Sequence, residues 1–285
     1  MQIITDSAGD LTQDEIRQWK IEIVPLTILF PNGDEVKAES ITPDAFYDRL
    51  KAAFPQLPTT SQPSPGTFTS LYIAAEAEGA LSIHVSSGLS GTPLTAKLAA
   101  DQVALPNVHV IDTMTLSCGQ RFQVLAAAMA VAKGWSFDKI RERLDKIRAA
   151  TEVIFTLETL DYLARGGRIG RVQALAGTLL QVKPIIHVDK NDGKYTTVGR
   201  GRTMAQAIAS ITNHLKGMYG DQPLWTSVMH GQFQEKADQL ATSLKSALKV
   251  ERLDVLRISP VLGVHTGPGI VGVGVVPMAL FEDLL

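Results

Sequence analysis

Cysteine is almost absent from this chain of 285 residues. Cys118 is the only one, so no disulfide bond can form within the chain. Disulfides stabilise secreted proteins and are rare in the cytosol, where thiols are kept reduced. The N-terminal residues also lack the basic and apolar segments of a signal peptide. Both absences predict a cytoplasmic protein.

An excess of one charge and long apolar runs are also missing. The 27 Lys and Arg residues nearly balance the 29 Asp and Glu residues, and the net charge is -2. We therefore expect no basic surface of the kind that binds nucleic acid. The longest apolar helical stretch, Phe122 to Ala132, is too short to cross a bilayer, so at most transient contact with a membrane surface is expected.

Signature motifs for metals and nucleotides are absent as well. The chain has no H-E-x-x-H, no paired C-x-x-C and no G-x-x-x-x-G-K-[ST] sequence, so we expect neither a bound metal nor an ATP site. Gly267 to Gly272 matches G-x-G-x-x-G by letters, but a strand pattern follows it rather than a helix. These glycines are typical of close backbone approach and place His265 and Thr266 in a loop. No cofactor is expected.

Short buried strands alternate with amphipathic helices, and this alternation predicts the fold class. Residues 1–150 alternate regularly, which favours an α/β domain with a doubly wound, mainly parallel sheet. Residues 151–285 contain a hairpin turn at Asn191 to Lys194 followed by strand–helix units, which predicts a smaller, mixed α+β domain. The boundary between the two domains is expected near Thr151.

Three segments carry specific predictions of local structure. Ile21 to Phe30 is apolar and β-branched and is expected to form one strand. Leu57 to Gly66 contains three prolines, which predicts a segment without regular structure. Val172 to Leu180 is expected to form a helix.

One stretch combines a strand, a turn and the start of a helix. Leu81 to Val85 is typical of a buried strand, and the residues after Thr92 have helical spacing. The turn between them, Ser86 to Thr92, consists mainly of hydroxyl residues and glycine. Free N–H groups at the helix start, and the close approach that glycine permits, favour a bound phosphate or carboxylate. The simpler interpretation, which the sequence leaves open, is that Ser90 or Thr92 only caps the helix.

Polar residues follow directly after three of the predicted strands, beginning with Asp6, Ser86 and Asp112. Ligands of doubly wound sheets bind at the carboxyl ends of the strands, so we expect these residues to converge on one edge. Asp6 could act as a phosphotransferase nucleophile, but Ala8 stands where a second acidic residue is usual. A turn or capping role for Asp6 is therefore favoured.

Arg165, Arg168 and Arg171 lie three residues apart in a glycine-rich loop. Guanidinium groups bind phosphates and carboxylates with paired hydrogen bonds. A solvated surface is the simpler interpretation, although Gly166 and Gly167 are not needed merely to expose arginine. The loop is thus a candidate contact for an acidic partner or a phosphate.

The turn Gly88 to Thr92 also resembles half of the G-x-S-x-G turn that carries the nucleophile of α/β-hydrolases. Its second glycine comes one residue early. A serine hydrolase acting on acyl esters would use Ser90 as nucleophile and His265 as base. No acidic residue is placed by the sequence to orient that imidazole. This hydrolase stays the alternative to a binding function.

Seven short motifs follow one another along nearly the whole chain. They are Thr5-Asp6-Ser7, Thr60-Ser61-Gln62-Pro63-Ser64, Ser86 to Thr92, Val110 to Thr113, Leu160 to Ile169, Lys183 to Ile186 and His265 to Gly269. Each motif is weak alone, but the ordered set is highly specific. Taken together, the motifs resemble the DegV family.

The resemblance implies a two-domain protein that binds a long-chain fatty acid and has no catalysis of its own. Bacterial proteins of this kind serve as the carrier subunit of fatty acid kinase and present the carboxylate to a separate ATP-binding subunit, which forms the acyl phosphate. The carboxylate-binding residues implied by the resemblance are Thr60, Ser61, Ser90, Gly91 and His265. Arg168, and secondarily Arg165, are implied to dock the kinase subunit.

The two hydroxyl segments contain no lysine or arginine. We therefore expect an apolar slot between the two halves, closed at its mouth by uncharged donors that meet the acid group. Uncharged donors would keep the carboxylate a better nucleophile toward ATP than a tight ion pair would.

Overall fold

The computed structural model describes residues 1–173 and 182–285. The helix predicted over Val172 to Leu180 therefore lies almost entirely outside the described residues. Within the described ranges, the strands form three sheets, of four, three and six strands. No helix in these ranges is both long enough and apolar enough to cross a membrane.

The described strands, numbered in chain order, are β1 (Gln2–Asp6), β2 (Glu22–Val24), β3 (Thr27–Leu29), β4 (Glu35–Lys37), β5 (Thr59–Ser61), β6 (Ala80–His84), β7 (Val108–Asp112), β8 (Glu152–Leu157), β9 (Lys183–Val188), β10 (Tyr195–Gly201), β11 (Leu224–His230), β12 (Val250–Arg257) and β13 (Ile270–Pro277). The described α-helices are α1 (Gln13–Trp19), α2 (Pro43–Ala53), α3 (Pro65–Ala74), α4 (Thr92–Val103), α5 (Ser117–Ala132), α6 (Phe137–Ala150), α7 (Asp161–Arg165), α8 (Met204–Tyr219), α9 (Gln234–Ala247) and α10 (Pro260–Thr266). Short 3-10 helices cover Ala38–Ser40 and Met278–Leu280.

The four-stranded sheet is parallel throughout and has the order β2-β1-β6-β7. The strand order reverses between β1 and β6, and such a switch point is where doubly wound sheets bind ligands. Helices α3 and α4 cover one face through a cluster that includes Ile4, Phe68 and Ala96. Helix α5 packs on the other face, where Ile3 and Ile83 are buried. The predicted α/β class of the first half is confirmed.

The six-stranded sheet has the order β10-β9-β8-β13-β11-β12. Its pairs are antiparallel except for β11 and β12, which run parallel. β9 and β10 form the predicted hairpin, whose turn lies at Asn191 to Lys194. Helices α8 and α9 cover one face through a cluster that includes Ile211 and Leu240. The predicted mixed α+β class of the second half is confirmed.

Helix α5 lies between the two large sheets and is buried on all sides from Ser117 to Ala130. Its many alanines let both sheets approach the helix closely, while the larger Phe122 ring packs 5.1 Å from the ring of Trp225. One cluster of buried apolar residues contains members from both halves of the chain. The domain boundary near Thr151 stays a prediction.

Two predictions of local structure are wrong. Ile21 to Phe30 forms two strands in different sheets, because Pro25 between them lacks the N–H group that continued pairing needs. Leu57 to Gly66 contains strand β5, which pairs with β3 in the antiparallel sheet β4-β3-β5. The prolines at 58, 63 and 65 leave Thr59 to Ser61 free to pair. This small sheet is what positions Thr60.

Candidate functional site

The carboxyl ends of β1, β6 and β7 meet at one edge of the parallel sheet. The backbone N–H of Val85 donates to Asp6 Oδ2 at 2.8 Å, and that of Ser87 donates to Asp112 Oδ1 at 3.2 Å. The N–H of Thr113 donates to the carbonyl of His84 at 3.0 Å. The predicted convergence of the three polar turns is therefore confirmed.

Asp6 is buried and connects these turns through hydrogen bonds. Its carboxylate also accepts hydrogen bonds from the N–H of Ala8 and from Gln120 Nε2, both at 3.0 Å, and lies 3.1 Å from His84 Nδ1. Burial acts to raise the pKa of Asp6, but the hydrogen bonds and the charge of His84 outweigh it and hold the pKa below its usual value. Such a fully bonded carboxylate agrees with a turn-stabilising role rather than with a nucleophile.

A cavity of about 40 Å³ opens beside this edge and has one polar side. Four polar residues from separate segments line that side, and they are Thr60, Ser90, Arg168 and His265. The remaining lining is apolar except for the Tyr195 hydroxyl and consists of Ala8, Leu26, Val85, Leu89, Leu116, Tyr195, Val261 and Leu262. The cavity therefore has the polarity expected for an amphipathic ligand.

Thr60 reaches the cavity because it lies on β5, where alternate side chains point to opposite faces. Its Oγ1 lies 2.9 Å from His265 Nε2, and the two groups share a hydrogen bond. Ser61, the next residue on the strand, is exposed and does not line the cavity. The structure thus brings one of the two predicted hydroxyls into the site.

His265 lies in the last turn of α10, and the loop predicted for His265 and Thr266 is wrong. Pro260 occupies the first turn, where its fixed φ favours a helix, and Gly267 ends the helix with a φ of +74°. The helix directs the imidazole into the cavity wall, where it is 9% exposed. The motif His265 to Gly269 identifies His265 as a candidate site residue, but it does not predict that the residue lies in a helix.

The imidazole of His265 is held in its neutral form. Burial, together with the positive charge of Arg168, lowers its pKa to about 3. Its Nδ1 atom has no hydrogen-bond partner among the described residues. A Cβ atom on Gly166 would clash with this same Nδ1, which explains a glycine in the arginine loop. The site therefore holds a neutral ring whose Nε2 is bonded to Thr60 and whose Nδ1 has no partner among the described residues.

Ser90 precedes the N-cap residue of α4 and lines the cavity. Its Oγ accepts a hydrogen bond from the N–H of Thr92 at 3.2 Å and lies 2.9 Å from the Thr92 hydroxyl. Gly91 occupies the N-cap position of α4, is exposed, and does not line the cavity. The cap expected at Ser90 or Thr92 is therefore wrong, because the N-cap residue is Gly91, which has no side chain to accept a hydrogen bond. The bond of Ser90 to the N–H of Thr92 is a local turn contact, and Ser90 also lines the cavity.

The three arginines of the loop point to three different places. Arg168 is half-buried, lines the cavity, and donates from Nη1 to the carbonyl of Gly166 at 2.8 Å. Arg165 is exposed, with its guanidinium 5.5 Å from the ring of Phe54. Arg171 pairs with two aspartates of the β9–β10 hairpin, Asp189 and Asp192, both at 3.0 Å.

The position of Arg168 corrects the expectation of a mouth with uncharged donors only. That expectation considered the two hydroxyl segments alone, and neither contains a cation. The fold brings a guanidinium from a distant segment to the same cavity, next to Ser90 and His265. Arg168 Nε donates to the carbonyl of Leu89, and these two residues are 79 positions apart in the sequence. Local sequence spacing therefore gives no signal of this contact.

The geometry does not support the hydrolase alternative. Ser90 Oγ is hydrogen-bonded to Thr92, and His265 Nε2 is hydrogen-bonded to Thr60. Across residues 1–173 and 182–285, no carboxylate contacts His265 Nδ1, although a catalytic base is normally oriented by a third group. No group of three potential metal ligands occurs in the same ranges.

A narrow apolar extension continues from this cavity toward the six-stranded sheet. Leu116, Tyr195 and Leu262 line both spaces. The other lining residues of the extension are Ser117, Val153, Phe155, Met229, Ile258, Thr266 and Ile270. Because the ten lining residues come from six separate stretches of the chain, sequence periodicity could not identify them.

Two large sheets surround a central helix, and a partly polar cavity with an apolar extension lies beside them; these features define the class of this α/β protein. The chain belongs to the DegV family, whose sequence model, described as one of uncharacterised proteins, matches residues 1–278. A DegV domain-containing protein of Clostridium perfringens is 36% identical over 276 residues, which are 96% of this chain and 97% of that protein.

Solved structures of the same family have the same fold. A DegV family protein from Thermus thermophilus, described as binding fatty acid, has a TM-score of 0.90 and 33% identity, and the match covers 97% of this chain and 99% of that chain. A stearic acid-binding protein from Eubacterium ventriosum has a TM-score of 0.86 and 28% identity, with 97% and 98% covered.

Proposed function

We propose that this protein binds a long-chain fatty acid, with the carboxylate at the polar side of the cavity and the acyl chain in the apolar extension. The observation that carries the proposal is the meeting of Thr60, Ser90, Arg168 and His265 at one end of an apolar space. The descriptions of the relatives from Thermus thermophilus and Eubacterium ventriosum as fatty-acid-binding support it.

The acyl chain supplies most of the affinity. A sixteen-carbon acid has roughly fourteen methylenes, and burying each is worth roughly 0.8 kcal/mol, or on the order of 11 kcal/mol before the costs of association. A hydrogen bond to a charged group adds about 1.5–3 kcal/mol. The tail thus decides whether a molecule binds, and the polar end decides its orientation.

The polar side suits an ionised acid group. The guanidinium of Arg168 provides the positive charge, while hydroxyls of Thr60 and Ser90 can donate to carboxylate oxygens. The neutral His265 ring donates from one nitrogen, and the carboxylate would take over the bond now made with Thr60. An ester or an alcohol of the same chain lacks the negative charge that Arg168 would meet.

Binding requires the lining side chains to move apart. The polar part of the cavity, about 40 Å³, has room for about three water molecules, and the apolar extension, about 10 Å³, has room for about one. An acyl chain is several times larger. The structure therefore has a narrow, closely packed seam in the described residues instead of the expected open slot. We expect this seam to open measurably when an acid binds.

The second part of the proposal concerns a partner. The bound carboxylate is presented to a separate ATP-dependent kinase subunit, which transfers the γ-phosphoryl group to a carboxylate oxygen with loss of ADP. The exposed Arg165 is suited to contact the acidic surface of such a subunit. Arg168 lies deeper, and its contacts suit the head group at least as well as docking.

Direct binding measurements with matched ligands test the proposal. Palmitate should bind at least tenfold more tightly than methyl palmitate or hexadecanol, which have the same tail without the charge. A chromogenic palmitoyl ester should not be turned over. Equal affinity for all three ligands would remove the head-group assignment, and ester turnover lost in Ser90→Ala would restore the hydrolase.

For the partner, Arg165→Ala and Arg168→Ala should each weaken recovery of a kinase subunit, and unchanged recovery would remove the docking role.

A further inference from the structure

A polar cluster lies between the apolar extension and a neighbouring cavity. Ser117 lines the extension, and its Oγ donates to Asp10 Oδ2 at 2.5 Å, while the backbone N–H of Ser259 donates to Asp10 Oδ1 at 2.7 Å. Ser117 Oγ also lies 2.9 Å from the sulfur of Met229. Asp10 and Ser117 are 8% and 2% exposed, so the cluster is a buried polar wall beside an apolar space.

The other side of this wall is open. Asp10 and Ser259 line a second, larger cavity of about 620 Å³, bounded mainly by α1, by residues 38–43 and by the end of β12. The Asp10–Ser117 hydrogen bond therefore separates the narrow apolar extension from a space with ample room for additional methylenes.

We propose that Asp10, Ser117 and Ser259 form a polar stop that limits the length of the acyl chain this protein accepts. The inference rests on the proposed binding of fatty acids. A chain that ends before the stop gains favourable burial with each methylene. A longer chain must break the bonds of a buried carboxylate, and the loss exceeds what one further methylene gains.

The backbone at the stop is held in an unusual conformation. Asp10 and Ser117 both have left-handed φ angles, +48° and +52°, which cost energy in residues other than glycine. The N–H of Ser117 donates to the carbonyl of Ala8, which fixes the two segments against each other. Burial raises the pKa of Asp10 to about 6 despite its hydrogen bonds.

The chain-length profile of binding tests the inference. Affinities for myristate, palmitate, stearate and arachidate are compared between the wild-type protein, the double variant Asp10→Ala/Ser117→Ala, and Glu39→Ala. Glu39 lines the outer cavity without contacting the stop and serves as the control. In the wild type and the control, affinity should stop rising at one length. In the double variant, arachidate should gain at least tenfold, with myristate unchanged.

The outcomes separate this inference from the proposed function. Identical profiles in the double variant and the wild type, with acids still bound, overturn the stop and leave fatty acid binding intact. Failure of the wild type to bind any acid overturns both. If the double variant does not fold, NMR of the wild-type protein with methyl-labelled stearate tests the stop instead. A nuclear Overhauser effect between the terminal methyl and the Met229 methyl supports the stop, and contacts of that methyl only elsewhere overturn it.

Discussion

Thr60 Oγ1 lies 2.9 Å from His265 Nε2, although 205 residues separate them in the sequence. The bond joins the small antiparallel sheet of the first half to α10 of the second half. It also lies in the wall of the cavity, next to an unpartnered nitrogen and a guanidinium. A carboxylate that enters would exchange this bond for its own, so head-group binding is coupled to a contact between the halves.

Removal of the Thr60 hydroxyl should weaken acid binding selectively. Thr60→Val keeps the shape of the side chain and loses one hydrogen bond to a charged group, so palmitate affinity should fall about tenfold, or roughly 1.5 kcal/mol. Binding of methyl palmitate should change little. Thr60→Ser should retain most of the affinity, and Thr59→Val, an exposed neighbour on the same strand, should have no effect. Equal losses in both valine variants would remove the role of Thr60.

Removal of the Arg168 charge should be visible on His265 itself. The guanidinium helps to lower the pKa of the imidazole, so Arg168→Gln should raise that pKa. An NMR titration of His265 in the ligand-free protein measures the shift directly, and Arg168→Lys should move it less. Palmitate affinity should fall in the same order. If the pKa of His265 were unaltered by loss of the charge, Arg168 would not lie at the cavity in solution.

Asp10 should make the stability of the protein fall as the pH rises. Its folded-state pKa is about 6, raised from 3.8 by burial, so the folded state binds a proton that the unfolded state releases. A shift of about two pKa units corresponds to roughly 3 kcal/mol. This stabilisation is present below about pH 4 and is lost as the pH rises through about 6.

The matched variant for this effect is Asp10→Asn, which has the same shape and does not titrate. The free energy of unfolding of the variant minus that of the wild type should increase between about pH 4 and pH 6 and stay constant above. Urea denaturation at several pH values measures it. His265, whose low folded-state pKa destabilises the protein in acid, is present in both proteins and cancels. A difference independent of pH would contradict the burial of an ionisable Asp10.

Gly193 should tolerate no side chain. Its φ is +65°, and a Cβ atom there would clash with the hydroxyl of the fully buried Ser86, which itself donates to the Gly193 carbonyl at 2.8 Å. Gly193→Ala should therefore cost about 1–3 kcal/mol more than Gly134→Ala. Gly134 also has a positive φ, +72°, but has open space around it. Similar losses of unfolding free energy in the two variants would show that the hairpin is not seated on the Ser86 turn.

Much of the fold could be predicted because its signals are local. The alternation of buried strands and helices identified the parallel sheet, and the turn at Asn191 to Lys194 identified the hairpin of the mixed sheet. Pro25 interrupts an apolar run that otherwise predicts one strand, and the proline itself is the local signal for the observed break. The strand at Thr59 to Ser61 could not be foreseen, because its stability comes from pairing with β3.

The candidate site was only partly visible in the sequence for the same reason. Motifs identified Thr60, Ser90 and His265, which the fold brings to one cavity. The contribution of Arg168 and the exposure of Ser61 depend on how distant segments pack and which face of a strand is buried. The apolar seam has no periodic signature, since each stretch of the chain contributes only one to three of its residues.

The most direct test of the central claim is native mass spectrometry of the protein produced in bacteria, before and after addition of palmitate. A noncovalent adduct with the mass of one long-chain fatty acid should be present or should form at one equivalent, and it should be lost on denaturation. Absence of any such adduct with palmitate in excess, or an adduct with the mass of an adenine dinucleotide instead, would contradict the account.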